Sequence, residues 1–373
     1  MPLSQTRGTI WRRFTIGSIV LLLIMVMGSV VRSAEPAIPN ANGDTQKPRL
    51  IVLTDIGQDP DDEQSMVRLL LYANEFDIEG LVATSHVFEG ANEYAPDNIF
   101  DIVGKYSLVH YNLLLHDPDY PTPSYLGSVI KRGNKVVGLQ DDPDVFKSIG
   151  PTMDSEGSNW IIEVVDRPDP RPVNIVVWGG KGDLAQALWR ISQDRTPAEV
   201  DAFVSKIRLY AIDDQDNTSS YIRTNFPNLF HLWNDNQAVK LDSAYRGMYR
   251  GGNTSIVSRT WVQNNVSNNH GEYGDRYPET APGADGVKEG DTPSWFYFLD
   301  NGLNNPDQPT WGGWGARFYN ESNNLWRDAE DTVSGETSHI ATVWRWREDF
   351  QNDFAARMDW TFLSSPAANH NPV

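Results

Sequence analysis

The chain has 373 residues, with 31 Lys and Arg against 50 Asp and Glu, and a formal net charge of −19. That balance excludes a protein that tracks nucleic-acid phosphates, which needs a basic face; it fits a neutral or cationic ligand, or acids gathered around a cation. With no cysteine, disulfides, thiolate metal sites and cysteine nucleophiles are all excluded, so any metal must be held by oxygen or imidazole.

At the N-terminus Arg7, Arg12 and Arg13 precede an apolar run from Ile16 to Val31, and Arg32-Ser33-Ala34 follows it. A positive segment, a short apolar core and small residues at its end make residues 1–34 a signal peptide. An uncleaved membrane anchor is the competing reading, and the run is short for one. Pro, Asn, Gly and Thr in residues 35–48 read as a flexible linker. Residues 49–373 are then the folded domain of a secreted or periplasmic protein, with no stable membrane anchor after cleavage.

Arg49–Thr54 is an apolar run ending at Asp55, the pattern of a buried parallel strand. Asp61–Ala73 places Met66, Leu69, Leu70 and Ala73 on one helical face, and Ile78–Thr84 reads as a second strand. Asn98–Tyr111 has Ile99, Ile102, Val103 and Tyr106 in helical phase. Val173–Trp178 is a third strand, followed by Gly179-Gly180 and a helix at Leu184–Ile191; Ile207–Ile212 is a fourth, ending in Asp213-Asp214. A helix near Ser219–Asn225 and a short strand at Asn228–Leu232 complete the alternation. The pattern predicts an α/β fold, with a mainly parallel, Rossmann-like open sheet and helices on both faces. Ligands in such sheets bind beyond the carboxyl ends of the strands, where Asp55, Gly179-Gly180 and Asp213-Asp214 fall. Beyond about residue 242 the periodicity gives way to long Trp- and Gly-rich loops, with one late helix around Ile340–Phe354.

The turn after the first strand holds five acids from Asp55 to Glu63. Part of it needs no ligand: Asp59 suits an N-cap, Pro60 a first helical position, and Asp61 and Asp62 are favourable first-turn charges. That reading does not cover Asp55, which closes a buried strand aimed at the same place. Carboxylates converging there repel each other unless a cation sits between them, and oxygen ligands without His or Cys select calcium or magnesium.

This strand and acidic turn, with the Asp61-Asp62 pair opening a helix, resemble the signature of the nucleoside hydrolases, with Gln58 and Asp59 inserted. Further stretches are similar to a divergent exported branch, the cellulose-binding, nucleoside-hydrolase-like family: Ser65–Tyr72, Trp178-Gly179-Gly180, Glu289–Ser294, Trp311–Gly315 and Asn369-His370-Asn371-Pro372. The resemblance spans residues 48–373 and implies a nucleoside-hydrolase-like fold that hydrolyses N- or O-glycosidic bonds. By it, Asp55 binds a metal and activates water, and Asp62 is a second metal carboxylate. Asp291 is a third, from a far loop, and Trp178 offers its backbone carbonyl. The ion is Ca2+, and Asp61 binds sugar hydroxyls. Many members place a His before the far-loop aspartate to help the base leave; this chain has Gly290 there.

His270 is therefore the candidate proton donor, and His86 a candidate substrate contact near the sheet's carboxyl edge; either also reads as an ordinary loop histidine. Asp214 is a candidate for sugar hydroxyls, with a solvated acidic turn as the alternative. Seven of the 13 tryptophans lie between residues 295 and 360. Most suit packing, but Trp311 and Trp314, flanked by glycines in one loop, are expected to present flat faces to a sugar. The expected partners are a small glycoside or oligosaccharide, including plant-polysaccharide-derived sugars and cellulose, and no nucleic acid. The competing functions are a carbohydrate-binding protein that keeps the fold without turnover, and a calcium-stabilised structural protein.

Overall fold

Asp55 and Trp178 end up side by side because their strands are neighbours at the point where the sheet reverses direction. The computed structural model describes residues 46–57, 59–84, 95–135, 142–234, 240–280 and 285–363. Residues 1–34, expected as a signal peptide, His86, Asn369–Pro372 and all but the last three residues of the expected linker lie outside these. Among the described residues the central sheet has eight strands: β1 (Arg49–Thr54), β2 (Asp77–Ala83), β3 (Ile130–Arg132), β4 (Val173–Val177), β5 (Ile207–Ala211), β6 (Phe230–Trp233), β7 (Phe318–Ser322) and β8 (Leu325–Asp328). Their order is β3-β2-β1-β4-β5-β6-β8-β7. Every neighbouring pair is parallel except β7 with β8. The chain runs outward from β1 through β2 to β3, then crosses back to β4. The crevice at the carboxyl ends of β1 and β4 is thus the topological switch point, where open α/β sheets bind ligands.

β1 is buried along its whole length, as a central parallel strand requires. Leu50 and Val52 point into one apolar cluster, Ile51 and Leu53 into the other. The first cluster packs under α1 (Pro60–Leu71), α2 (Pro96–Leu113) and the helix Arg347–Trp360; the second packs under the helices Glu156–Asp166 and Gly182–Asp194.

The C-terminal third departs from the loops expected of it. Phe318–Ser322 and Leu325–Asp328 extend the main sheet, β8 parallel beside β6 and β7 closing the edge. Their alternation is hidden because four of the five β7 residues face solvent. The late helix is two pieces, Ala341–Trp344 and Arg347–Trp360.

Candidate functional site

The first half of the site comes from β1, β4 and the start of α1. The Trp178 N–H bonds the Leu53 carbonyl at 2.8 Å, so the chain after β4 stays in register with the end of β1. The Asp55 carboxyl lies against Gly179: a Cβ there would fall 2.4 Å from Asp55 Cγ, closer than any side chain could stand. Pro60 begins α1, and Asp59 at its N-cap makes no capping hydrogen bond, its carboxylate pairing with Lys288 instead. Asp62 is buried and accepts a hydrogen bond from the Thr54 hydroxyl.

The second half is the segment around Asp291, clamped onto α1. Gln64 Nε2 donates to the carbonyls of Pro278 (2.7 Å) and Gly286 (3.0 Å), while its Oε1 accepts the N–H groups of Lys288 and Glu289. One turn on, the fully buried Arg68 meets the fully buried Glu289 at 2.6 Å. Tyr277 and Thr292 also donate to that carboxylate, and Gln351 accepts from Arg68 at 2.6 Å. A buried ion pair depends on partners for its remaining donors and acceptors, and here the two terminal guanidinium nitrogens and both carboxylate oxygens have them. A third tie runs to β4: Trp178 Nε1 donates to Ser294 Oγ at 2.9 Å, which donates to the Asp291 carbonyl at 2.6 Å.

These halves enclose a cavity of about 250 Å³ lined by Asp55, Asp59, Asp61, Asp62, Trp178, Asp213, Gln215, Tyr245, Arg246, Tyr249, Lys288 and Asp291, among others. Asp61, Asp62 and Asp291 bring carboxylate oxygens within 4.8 Å of one another. Burial, then the charges of Asp59 and Asp55, push Asp61 up to about 7 although Lys288 pulls it down. Asp62 and Asp291 are pushed well up too, first by burial and then by their acidic neighbours. Asp291 Oδ2 is buried with no hydrogen-bond partner among the described residues. Hard oxygen donors, mutual repulsion and an orphaned acceptor together fit a divalent cation of the calcium or magnesium type.

Asp55, Asp61, Asp62, Asp291 and Trp178 therefore share one cavity, with the closest trio containing Asp61 in addition to the expected Asp62 and Asp291. Four other candidates lie elsewhere. Asp214 is gripped by Lys181 and Arg223, each at 2.7 Å; burial raises its pKa, but those two cations hold it well below the usual carboxylate range. Its neighbour Asp213 is the acid that lines the cavity. His270 packs away from the cavity lining, bonding the Asn268 carbonyl at 2.9 Å and Asp359 at 3.3 Å, with Phe362 against its ring. Trp314 is a core residue, only 8% exposed, between Phe296 and Phe350. The glycines around it serve close packing rather than display: a Cβ at Gly315 would strike the Tyr297 backbone at 2.2 Å. Trp311 is 64% exposed and does not line the cavity.

Sequence reasoning missed Lys288, Tyr245, Arg246, Tyr249 and Gln215. Lys288 had a signal, standing three residues before Asp291. The Tyr245–Tyr249 segment had none, because it reaches the site through a tertiary anchor: the Ala244 N–H donates to Asp328 at the end of β8, 2.8 Å away.

An open parallel sheet carrying an acidic cluster at its switch point is the architecture of the nucleoside hydrolases. Residues 49–318 match the family described as cellulose-binding Sde182, nucleoside hydrolase-like domain, and the chain belongs to that family. A solved structure from Saccharophagus degradans, a nucleoside hydrolase-related protein associated with carbohydrate metabolism, is 34% identical, with a TM-score of 0.69 over 87% of this chain and 74% of that one. A plant nucleoside hydrolase is 14% identical, with a TM-score of 0.45 over 84% of this chain and 99% of that one. A purine-preferring ribonucleoside hydrolase from Gardnerella vaginalis is 13% identical, with a TM-score of 0.43 over 83% and 99%. A search of curated proteins returns no match.

Proposed function

We propose that this protein is an exported, calcium-dependent hydrolase of glycosidic bonds that acts on a small glycoside or a sugar released from plant polysaccharide. The observation that carries the reading is the convergence of Asp55, Asp61, Asp62, Asp291 and Trp178 on one cavity at the switch point. Asp62, Asp291 and Asp55, with the Trp178 carbonyl, would hold the ion, and Asp61 would receive sugar hydroxyls. When bound, the ion supplies electrostatic stabilisation and lowers the pKa of a coordinated water. Asp55 takes a proton from the attacking water as positive charge develops on the sugar ring. The cavity, about 250 Å³, is small beside the roughly 300–1,000 Å³ of pockets for drug-sized ligands, and suits one sugar ring rather than a buried polymer chain. Export rests on residues 1–34 and on the family's association with cellulose; intact-mass analysis of secreted protein should show loss of about 34 residues.

A second reading, carbohydrate binding without turnover, is favoured by two observations: the family is described as cellulose-binding, and Gly290 leaves the histidine position empty of a donor. Assays of the full chain on aryl glycosides, nucleosides and cello-oligosaccharides, with calcium and with chelator, separate the two. Turnover that Asp55→Asn lowers by about 10²–10⁴ supports the hydrolase. Calorimetric binding of oligosaccharides with no turnover supports the binding protein.

A further inference from the structure

The cavity is lined by a tyrosine that the histidine pattern does not reveal. Gly290 has no side chain because an aromatic ring lies on it: a Cβ at that position would fall 2.9 Å from Tyr245 Cδ2 and 3.2 Å from Cε2. The same point is 3.7 Å from Asp61 Oδ2, so the Tyr245 ring stands beside the carboxylate assigned to the sugar. Tyr245 is 6% exposed, lines the cavity, and its hydroxyl has no hydrogen-bond partner among the described residues. The ring is buried while its hydroxyl opens to the cavity, where a ligand atom can accept its proton. The residue is firmly placed, since the preceding Ala244 N–H is held by Asp328. The Arg246 guanidinium lies over the Tyr245 ring, 4.8 Å from its centroid, where it favours negative charge developing on the phenol.

We infer that Tyr245 donates to the departing oxygen of an O-glycoside, taking the role that a histidine before Asp291 would otherwise have. The inference rests on the hydrolase reading and specifies its bond class. The C1–O bond breaks with its electron pair on the leaving oxygen, which takes the phenolic proton. The water oxygen bonds C1 and gives its proton to Asp55. That proton returns through solvent to the phenolate, so each cycle consumes one water and no net proton. A phenol holds its proton more tightly than an imidazolium. It therefore matches a strongly basic alkoxide better than a purine nitrogen.

The test measures kcat/KM of the wild type and Tyr245→Phe on glycosides of one sugar whose leaving groups run from nitrophenol to alkyl alcohol. The Phe ring keeps the packing on Gly290 and removes only the hydroxyl. Loss of about 10²-fold or more on alkyl glycosides, with little change on the nitrophenyl compound, is the expected result. Equal rates for the two proteins across the series, in a wild type that Asp55→Asn inactivates, overturn the role of Tyr245 and leave the hydrolase reading standing. A wild type without turnover on any glycoside overturns both. Should the variant fail to fold, the wild type decides alone: a rate nearly independent of leaving-group basicity supports the donor, and a steep dependence overturns it.

Discussion

Stripping divalent cations from this protein should make its stability fall as the medium goes from acid to neutral. In the metal-free site the pKa of Asp61 is raised from 3.8 to about 7, chiefly by burial and then by Asp59 and Asp55. A carboxyl whose pKa is higher in the folded than in the unfolded chain favours folding while protonated. That contribution is complete below the unfolded value and is lost as pH rises through the folded one. Over a shift of about three units, at ~1.4 kcal/mol each, Asp61 alone accounts for up to ~4 kcal/mol. At about 2 °C per kcal/mol for a domain of this size, this is roughly 8 °C in Tm. Asp62 and Asp291 shift in the same direction. A cation that keeps the carboxylates ionised removes the penalty, and at 100 times its Kd adds ~2.7 kcal/mol. The assay is thermal unfolding at constant ionic strength from about pH 4 to about pH 8, with calcium or with chelator. The calcium-induced rise in Tm should be near zero at the acid end and grow through the window between the two pKa values. A rise that does not depend on pH, or none at any pH, refutes the argument that these carboxylates form a cation site.

Four further outcomes follow from the packing. Glu289→Gln leaves Arg68 buried without its counter-charge and should cost about 3–5 kcal/mol in denaturant unfolding, with calcium affinity falling as the Asp291 segment loosens. Gly179→Ala sets a methyl against the Asp55 carboxyl; it should abolish most turnover while far-UV circular dichroism stays unchanged. Trp314→Ala should lose about 3–5 kcal/mol of stability as a core deletion, whereas His270→Ala should keep turnover within about twofold, since polar residues in loops commonly carry no chemistry.

The half of the site built on β1 and β4 was legible because its logic is local. A buried run ending in Asp55, a proline-led helix bearing Asp61 and Asp62, and Trp178-Gly179-Gly180 each carry a pattern within a few residues. The failures have one physical source. Asp214, His270 and Trp314 are chemically apt for binding sugars, but residue type does not say whether Lys181 and Arg223, Asp359, or Phe296 and Phe350 have already claimed them. Tyr245 was invisible for the converse reason: its place depends on Asp328 at the end of β8, and that strand itself escaped the periodicity. The motif stretches Ser65–Tyr72 and Glu289–Ser294 lie far apart in the sequence; Arg68 on Glu289 makes them two sides of one contact.

That contact also sets the order in which the molecule can be assembled. Arg68 and Glu289 are separated by 221 positions in the chain, and Gln64 reaches as far. During synthesis the acidic turn emerges long before Lys288, the lysine that partly neutralises it, and before Asp291, the carboxylate that completes the acidic cluster. Contacts of such separation form late, after the entropy of closing a very long loop has been overcome. Folding intermediates that lack the segment around residue 290 thus carry Arg68 without its counter-ion, and the acidic cluster closes only as the last third of the chain docks.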